Sequence, residues 1–230
     1  MENSLTEYYS DKREDYFDCD RPEMRPFIPD DCKSILDVGC GRGFFAASLR
    51  QVPNRTIWGI EPDKDCIPIA EKNLDKIIHG CFEPDLRLPE GHFDCIIFND
   101  VLEHLLDPDT ALIYAMKLLK NNGIIVASIP NILHFPIMWK LVTRGEWTYT
   151  ERGILDKTHL RFYTRKSIAT MFTQLGYQIN RIDGINPYHS MEPEDEKLWR
   201  YYKLLEKVPM PSVHDMRYLQ FSVIAKKITS

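Results

Sequence analysis

The stretch Ile35-Leu36-Asp37-Val38-Gly39-Cys40-Gly41-Arg42-Gly43 decides the fold of this chain. An apolar run ends in an aspartate, a Gly-x-Gly-x-Gly turn follows, and residues 44–49 have the composition of a helix start. A strand, a tight turn and a helix N-terminus bring backbone N–H groups close to a bound ligand. Dinucleotide-binding turns use nearly the same glycine spacing, so the glycines alone leave the ligand open.

Two acids at the predicted strand tips narrow the choice of ligand. Asp37 would repel a pyrophosphate arriving at the turn, whereas it would attract a ligand that presents an ammonium group. Glu61 ends a second apolar strand and follows the glycines by roughly 20 residues. An acid at that distance accepts hydrogen bonds from ribose hydroxyl groups in nucleotide-binding folds. The pattern therefore predicts a nucleoside-containing cofactor with a cationic end.

Length, composition and charge set broad limits. The chain has 230 residues with 43% hydrophobic and 27% charged content, which is ordinary for a globular protein with a full core. The formal net charge of -5 argues against broad electrostatic binding to nucleic acid or anionic membranes. No apolar run approaches the ~20 residues that span a bilayer. The six cysteines show no Cys-x-x-Cys spacing and no export signal is evident, so we predict reduced thiols and a cytoplasmic location.

The order of the predicted elements indicates an α/β protein with a largely parallel sheet. From residue 34 to residue 128, short apolar runs alternate with amphipathic segments, as they do in βαβ units. We expect one helix from Asp107-Pro108 to the turn Asn121-Asn122-Gly123 and another over Arg165–Leu175. The predicted strands are Ile35–Val38, Thr56–Ile60, Lys76–Gly80, Phe93–Phe98, Gly123–Ser128, Gln178–Asp183 and Leu219–Ala225.

We predict a single domain over residues 1–230. Residues 1–30 are polar and aromatic and are predicted to form an N-terminal lid, and residues 34–184 form the cofactor-binding core. Residues 185–215 contain prolines, acids and aromatic residues and are predicted to be an insertion or a substrate cover. Residues 216–230 supply the final strand.

With these motifs in order, the chain resembles the class I S-adenosylmethionine-dependent methyltransferases over roughly residues 34–182. Leu36–Gly43 looks like the family motif that holds the methionine moiety, and Gly59–Pro62 looks like the ribose-binding acid motif. Phe93–His104 resembles the fourth strand and active-site turn, and Leu118–Val126 resembles the helix, turn and fifth strand that follow. The resemblance implies a Rossmann-like, seven-stranded, mostly parallel sheet with helices on both faces and one antiparallel strand near the C-terminus.

The resemblance also implies S-adenosylmethionine as the cofactor. Family members often place an acid after the third strand, where it meets the adenine amine, but this chain has Cys81 there. Adenine recognition then falls to the backbone near Cys81 and Phe82, or to Glu83, and Arg21 is a candidate partner of the cofactor's carboxylate. The implied cofactor-binding residues are Asp37, Gly39, Cys40, Gly41, Gly43, Glu61, Pro62, Cys81, Phe82, Asn99 and Arg21.

The turn after the predicted fourth strand carries the candidate catalytic groups. Asp100, Glu103 and His104 have i, i+3, i+4 spacing, which places them on one face of a helical turn. The Asp-x-x-Glu-His pattern with His159 downstream is similar to small-RNA 2′-O-methyltransferases and to quinone-pathway O-methyltransferases. Both resemblances imply a divalent metal bound by Asp100, Glu103, His104 and His159, although the first position is usually glutamate. His104, His159 and Asp100 are the catalytic candidates.

Other interpretations of these residues stay open. Asp100 and Glu103 have the spacing of a helix capping box. His104 could serve as a general base without metal, and His159 could be a loop histidine bonded to backbone. Mixed oxygen and imidazole ligands suit Mg²⁺, Mn²⁺ or Zn²⁺, and the sequence does not choose among them.

We predict an S-adenosylmethionine-dependent O-methyltransferase that acts on a small molecule or a sugar. Residues 145–164 are similar to a subgroup associated with small-molecule and surface-glycan methylation. The acid and histidine pattern keeps open a metal-dependent RNA 2′-O-methyltransferase, which the net acidity argues against. The remaining alternatives are a cofactor-binding protein without turnover and a nicotinamide dehydrogenase, and Asp37 argues against the dehydrogenase. The oligomeric state is left unassigned.

Overall fold

The computed structural model describes residues 20–188 and 196–228, which form a seven-stranded sheet flanked by helices. The strand order is β3-β2-β1-β4-β5-β7-β6. The first five strands in chain order pair in parallel, and the last one runs antiparallel to both of its neighbours. The predicted fold class is therefore confirmed. The strands are β1 (Ser34–Val38), β2 (Thr56–Glu61), β3 (Lys76–His79), β4 (Phe93–Asn99), β5 (Leu119–Pro130), β6 (Tyr177–Pro187) and β7 (Tyr218–Lys227).

The helices of the described ranges cover both faces of this sheet. No helix within those ranges has the combined length and apolar character that crossing a bilayer requires. Two short 3₁₀ helices, Pro22–Phe27 and Pro84–Leu86, occur in addition. The α-helices are α1 (Phe44–Leu49), α2 (Ile67–Asn73), α3 (Pro108–Leu118), α4 (Phe135–Arg144), α5 (Arg165–Gln174), α6 (Glu196–Leu205) and α7 (Pro211–Asp215).

Alternation along the central strands builds a hydrophobic cluster on each side of the sheet. In β1, Leu36 and Val38 belong to the cluster that includes side chains of α3 and α5. Ile35 faces the opposite way and packs with side chains of α1, α2 and the first 3₁₀ helix. Successive strand residues point to opposite faces, and each fully buried aliphatic side chain stabilises the fold by about 1.5–3 kcal/mol. The sheet is thus buried on both sides, as parallel sheets require.

Local capping signals set the start of α3, whereas strand pairing sets its end. Asp107 is the N-cap, and its Oδ1 accepts a hydrogen bond of 3.0 Å from the Thr110 N–H. The helix stops at Leu118, so the expected end at Asn121-Asn122-Gly123 is wrong. Residue 119 already pairs with Phe93 of β4, because the ladder satisfies these backbone groups before the turn residues are reached.

Two expected boundaries change. Strand β6 continues to Pro187, so residues 185–187 belong to the sheet and not to an insertion. Most of the predicted lid lies outside the described residues. In its described part, Met24 and Phe27 are 0% and 7% exposed and pack into the core, and the role of the segment as a lid stays a prediction. The single-domain assignment stays a prediction.

The segment that precedes β7 packs onto α4. Phe135 of α4, Tyr188 and two side chains of α6, Leu198 and Tyr202, form a third hydrophobic cluster. The rings of Phe135 and Tyr202 lie 5.2 Å apart between centroids. This contact fixes α6 against the helix that follows β5, but whether the segment covers a substrate stays a prediction.

Gly59 in β2 is required by close packing against the glycine-rich turn. A Cβ built on Gly59 would lie 2.6 Å from Cys40 Sγ and 2.5 Å from Leu74 Cδ1. Gly59→Ala is expected to destabilise the fold by about 1–3 kcal/mol, as overpacking of a filled interior does. Thermal unfolding at constant pH measures this loss. Gly153→Ala is the comparison, since its Cβ meets nothing within 4 Å and only its φ of 88° adds strain. Equal stability of Gly59→Ala and the unsubstituted chain would contradict the packing.

Candidate functional site

Acids from two strands meet at one edge of the sheet, because parallel strands end at the same edge. Chain order reverses between the neighbouring strands β1 and β4, so their carboxyl ends border the crevice where open α/β sheets bind ligands. Asp37 is the second-to-last residue of β1, and it pairs with Gly59 in β2 and with Ile97 in β4. Glu61 ends β2 beside it. The structure therefore brings together the two acids that the sequence placed at separate strand tips.

The glycine turn after β1 is tied to β2. Gly39, Gly41 and Gly43 have φ values of 67°, 53° and 77°, in the left-handed region that favours glycine. The N–H groups of Gly39 and Cys40 both donate to the Ile60 carbonyl, at 2.8 and 3.1 Å. Burial raises the pKa of the Cys40 thiol, so this side chain packs as a neutral group. The turn thus has a fixed shape before any ligand arrives.

Asp37 is a buried carboxyl group whose pKa is raised by its surroundings. Its side chain is 2% exposed, and burial, followed by repulsion from Glu61, raises its pKa to about 7. A buried carboxylate needs a compensating positive partner. The ammonium group of an amino-acid-like ligand end would supply that partner, so the electrostatics of Asp37 fit the methionine end of S-adenosylmethionine.

Glu61 links the two cofactor motifs directly. Its Oε2 accepts a hydrogen bond of 2.8 Å from the Gly41 N–H, and its Oε1 accepts one of 2.9 Å from the Asp63 N–H. Burial raises the pKa of Glu61, against the effect of these two hydrogen bonds. Pro62, next in the chain, offers its carbonyl to the ring of His79 at 3.1 Å. The acid that was predicted to meet ribose hydroxyls is therefore held at the glycine turn.

Asn99, at the end of β4, gives a second test of whether the site fits a polar ligand. Both polar atoms of its amide are buried and have no hydrogen-bond partner within the described part of the chain. Buried amides in native proteins are nearly always bonded, so this orphaned group indicates a partner that the protein itself does not provide. Asn99 fits the predicted role in cofactor binding.

The predicted adenine-binding residues are only partly suited to that role. The Phe82 side chain is 6% exposed and packs against Phe98 and Tyr114, with ring centroids 5.5 and 5.1 Å away. It belongs to the core, so at this position only the backbone is left to face a ligand. Cys81 is exposed, beside the end of β3. Adenine binding by these two residues stays a prediction.

The segment after β4 is a turn and not the helix start that a capping box requires. Its first residue, Asp100, has φ 54°, and the Asp100 N–H donates to the Ser128 carbonyl at 3.1 Å. Both carboxylate oxygens of Glu103 lack a hydrogen-bond partner in the described residues. The capping-box interpretation is therefore wrong. A Cβ on Gly39 would lie 2.8 Å from Val101 Cγ2, so this turn touches the glycine turn.

Glu103, His104 and His159 converge at this turn. Each offers one ligand atom, and these atoms lie within 4.8 Å of one another. His159 Nε2 is 3.8 Å from Glu103 Oε1, and the two imidazole rings are 4.6 Å apart between centroids. The structure thus joins residues that are more than fifty positions apart in sequence.

Backbone carbonyls orient both imidazoles. His104 Nδ1 lies 3.2 Å from the Thr158 carbonyl, and His159 Nδ1 lies 2.9 Å from the Ile154 carbonyl. An imidazole that donates from Nδ1 to a carbonyl leaves Nε2 as an acceptor, and this is how metal-bound histidines are usually held. The predicted backbone bond of His159 therefore coexists with a position beside Glu103.

Glu103 is the electrostatic centre of this group. It is 1% exposed, and burial raises its pKa to about 8, against the lowering effects of its own backbone N–H and of Arg21 and with a smaller raising effect of Asp156. Two buried acceptor oxygens without donors, beside two imidazole nitrogens, form a donor set that suits a divalent cation. These three residues fit a metal.

Asp100 requires a correction, since it does not belong to this group. One of its oxygens forms an ion pair with Arg21 Nη1, and the other accepts hydrogen bonds from Ser128 Oγ at 3.0 Å and Gln220 Nε2 at 2.7 Å. Arg21 is likewise engaged, with Glu23 Oε1 2.6 Å from its Nε. The predicted four-residue metal set is thus reduced to three, and Arg21 faces Asp100.

Sequence reasoning missed the two other members of this cluster. Ser128 and Gln220 are 0% and 9% exposed and come from β5 and β7. A buried serine and a buried glutamine in apolar strands carry no distinctive spacing relative to Asp100. Only the register of β7 against β5, which pairs Gln220 with Pro130, brings them together.

Comparisons with known proteins identify a family and relatives of this chain. A family described as "Methyltransferase domain" matches residues 3–181. A malonyl-(acyl-carrier protein) O-methyltransferase of Halalkalibacterium halodurans is 31% identical over 86% of this chain and 84% of its own. A ubiquinone biosynthesis O-methyltransferase of Bradyrhizobium diazoefficiens is 31% identical over 42% of this chain, and the match spans only 40% of that relative's length.

Solved structures add a likeness in fold. A crystal structure of a SAM-dependent methyltransferase from Archaeoglobus fulgidus superposes with a TM-score of 0.66 over 89% of this chain and 91% of its own. At 18% identity, this likeness shows the fold alone.

Proposed function

The chain belongs to the methyltransferase-domain family, and on that premise we propose that it is an S-adenosylmethionine-dependent O-methyltransferase that acts on a hydroxyl group of a small molecule or sugar. One observation carries the proposal. A Cβ built on Gly39 of the glycine turn would lie 2.8 Å from Val101 Cγ2, so the glycine turn lies close to the turn that bears Glu103 and His104. The group suited to activate a hydroxyl therefore adjoins the place where the methyl donor would bind.

The cofactor half of the site is assigned to the edge of β1, β2 and β4. Asp37 would bind the ammonium group, Glu61 the ribose hydroxyls, and the Asn99 amide a further polar group of the cofactor. S-adenosylmethionine supplies an electrophilic methyl group when bound. These residues do the positioning, which is the main demand of an in-line displacement.

The acceptor half of the site is assigned to Glu103, His104 and His159. Their ligand atoms would hold a divalent metal, whose positive charge lowers the pKa of a hydroxyl group nearby. In the alternative without a metal, the Nε2 of His104 or His159, on the side of the ring away from the carbonyl that orients Nδ1, would accept the hydroxyl proton instead. The names of the two O-methyltransferase relatives support an oxygen acceptor. A cytoplasmic location is also part of the proposal, on the cysteine spacing of the sequence.

Calorimetric titration with S-adenosylmethionine and S-adenosylhomocysteine, with and without chelator, tests the proposal. Binding in the micromolar range is expected in both conditions, since metal and cofactor occupy separate groups. Radiolabelled methyl transfer to phenols, sugars and hydroxy acids is expected to stop with chelator and to return with added Mg²⁺, Mn²⁺ or Zn²⁺. Cofactor binding with no transfer to any hydroxyl would favour a protein without turnover. Methyl transfer at an unchanged rate in the presence of chelator would show that the reaction needs no metal.

A further inference from the structure

Asp100 occupies the junction between the two halves of the site. Asn99, which precedes it, carries the orphaned amide, and the turn that follows it carries Glu103 and His104. Asp100 itself has φ 54°, in the left-handed region that residues other than glycine adopt uncommonly. Such a conformation persists only where its surroundings over-determine it. The direction in which the chain leaves β4 therefore depends on what holds Asp100.

Four groups hold it. The Asp100 N–H donates to both the carbonyl and the hydroxyl of Ser128, each at 3.1 Å. The carboxylate is taken by Arg21, by Ser128 Oγ at 3.0 Å and by Gln220 Nε2 at 2.7 Å. Both carboxylate oxygens of Asp100 have partners within the protein, so the side chain has a well-defined position and is not available as a metal ligand.

Gln220 closes this network from the opposite side. Its amide oxygen accepts hydrogen bonds from Arg21 Nη2 at 3.2 Å and Asn186 Nδ2 at 3.1 Å, while its amide nitrogen donates to Asp100. It lies on β7, where the side chain is 9% exposed. One glutamine thus joins the N-terminal segment, the tip of β4 and the end of β6.

We propose that Gln220 is a positioning residue, which fixes Asp100 and through it the turn that carries Glu103 and His104. The inference rests on the proposed function, because the turn matters only if those residues bind the metal. The hydrogen bonds of the Gln220 amide go to Arg21, Asn186 and Asp100, so we expect its effect to reach Glu103 and the imidazoles through the backbone of residues 100–104. Outer partners that orient metal ligands typically change metal affinity by about 10–100-fold when they are removed.

Gln220→Met tests this proposal, since methionine keeps the length of the side chain and loses all three hydrogen bonds of the amide. We expect Mn²⁺ affinity to fall roughly tenfold by calorimetry. S-adenosylhomocysteine affinity is expected to fall less than Mn²⁺ affinity, since Asn99 is still held by its pairing with Ser128 in β5. The matched control is Gln178→Met, on the exposed side of the neighbouring strand β6, which should change neither affinity. Asp100→Asn, which tolerates positive φ, is the second variant, and its effect should not add to that of Gln220→Met.

A second readout separates this proposal from the metal assignment. In metal-free protein, the His104 ring signals in NMR spectra should shift in Gln220→Met and remain in place in Gln178→Met. If the unsubstituted chain binds no Mn²⁺, the metal part of the proposed function fails, and the ring signals alone decide the positioning role. Unchanged ring signals, or unchanged Mn²⁺ affinity in a chain that binds the ion, would overturn the role of Gln220.

Discussion

Asp37→Asn is expected to weaken S-adenosylmethionine binding by roughly 100-fold, because it removes a charged hydrogen bond worth up to about 3 kcal/mol. The substitution keeps the shape of a side chain that is 2% exposed, so the core around β1 stays filled. Stability at neutral pH should not fall, since a buried carboxylate without its ligand is itself costly. Calorimetry of cofactor binding and thermal unfolding, on the same sample, measure the two effects.

The pH dependence of binding gives the same residue an independent test. Asp37 has a pKa raised to about 7 in the ligand-free protein, and the ammonium group binds its charged form. Cofactor affinity should therefore rise as the pH increases towards 7 and level off above it. Asp37→Asn should lack this dependence. The control is Glu146→Gln, which replaces an exposed acid and should leave the cofactor affinity and its pH dependence unchanged. Tight binding by Asp37→Asn at every pH would refute the assigned role.

Glu103→Gln is expected to reduce the affinity for a divalent metal by at least about 100-fold. Loss of a residue that only orients a metal ligand costs up to about 100-fold, and Glu103 would be a direct ligand. The pKa of Glu103 is raised to about 8, and the metal binds the ionised form. In the unsubstituted chain, metal affinity should thus increase with pH up to about 8 before this group stops contributing. Mn²⁺ calorimetry at several pH values measures both effects.

The same variant makes a prediction about the metal-free protein. The folded-state pKa of Glu103 lies above its unfolded value, so its ionisation costs stability as the pH rises towards and through 8. Glu103→Gln should be at least as stable as the unsubstituted chain at alkaline pH without metal. Asp109→Asn, an exposed acid on α3, is the matched control and should retain metal binding. Full metal affinity in Glu103→Gln would eliminate the site.

Local patterns in the sequence were sufficient for the strands, the glycine turn and its acids. The strand predicted over Ile35–Val38 differs from β1 by one residue, because alternation and turn residues act over a few neighbours. The predicted helix end at Asn121-Asn122-Gly123 failed, since pairing with β4 overrides a local stop signal. Asp37 and Glu61 were found from sequence because each follows its own strand, and parallel strands end at one edge.

The sequence alone predicted the family, which the family comparison confirms, as well as the glycine turn and the candidates Glu103, His104 and His159. Only the tertiary structure shows that Asp100 lies apart from these three residues, since its partners Ser128 and Gln220 come from β5 and β7. No spacing rule relates residues 100 and 220, which meet only through the register of an antiparallel strand. The raised pKa of Glu103 likewise depends on burial, a property of the packed molecule. Helices and strands can be predicted from sequence because their periodicity involves only neighbouring residues. Contacts and pKa shifts that involve residues of different strands depend on how those strands pack in the folded protein.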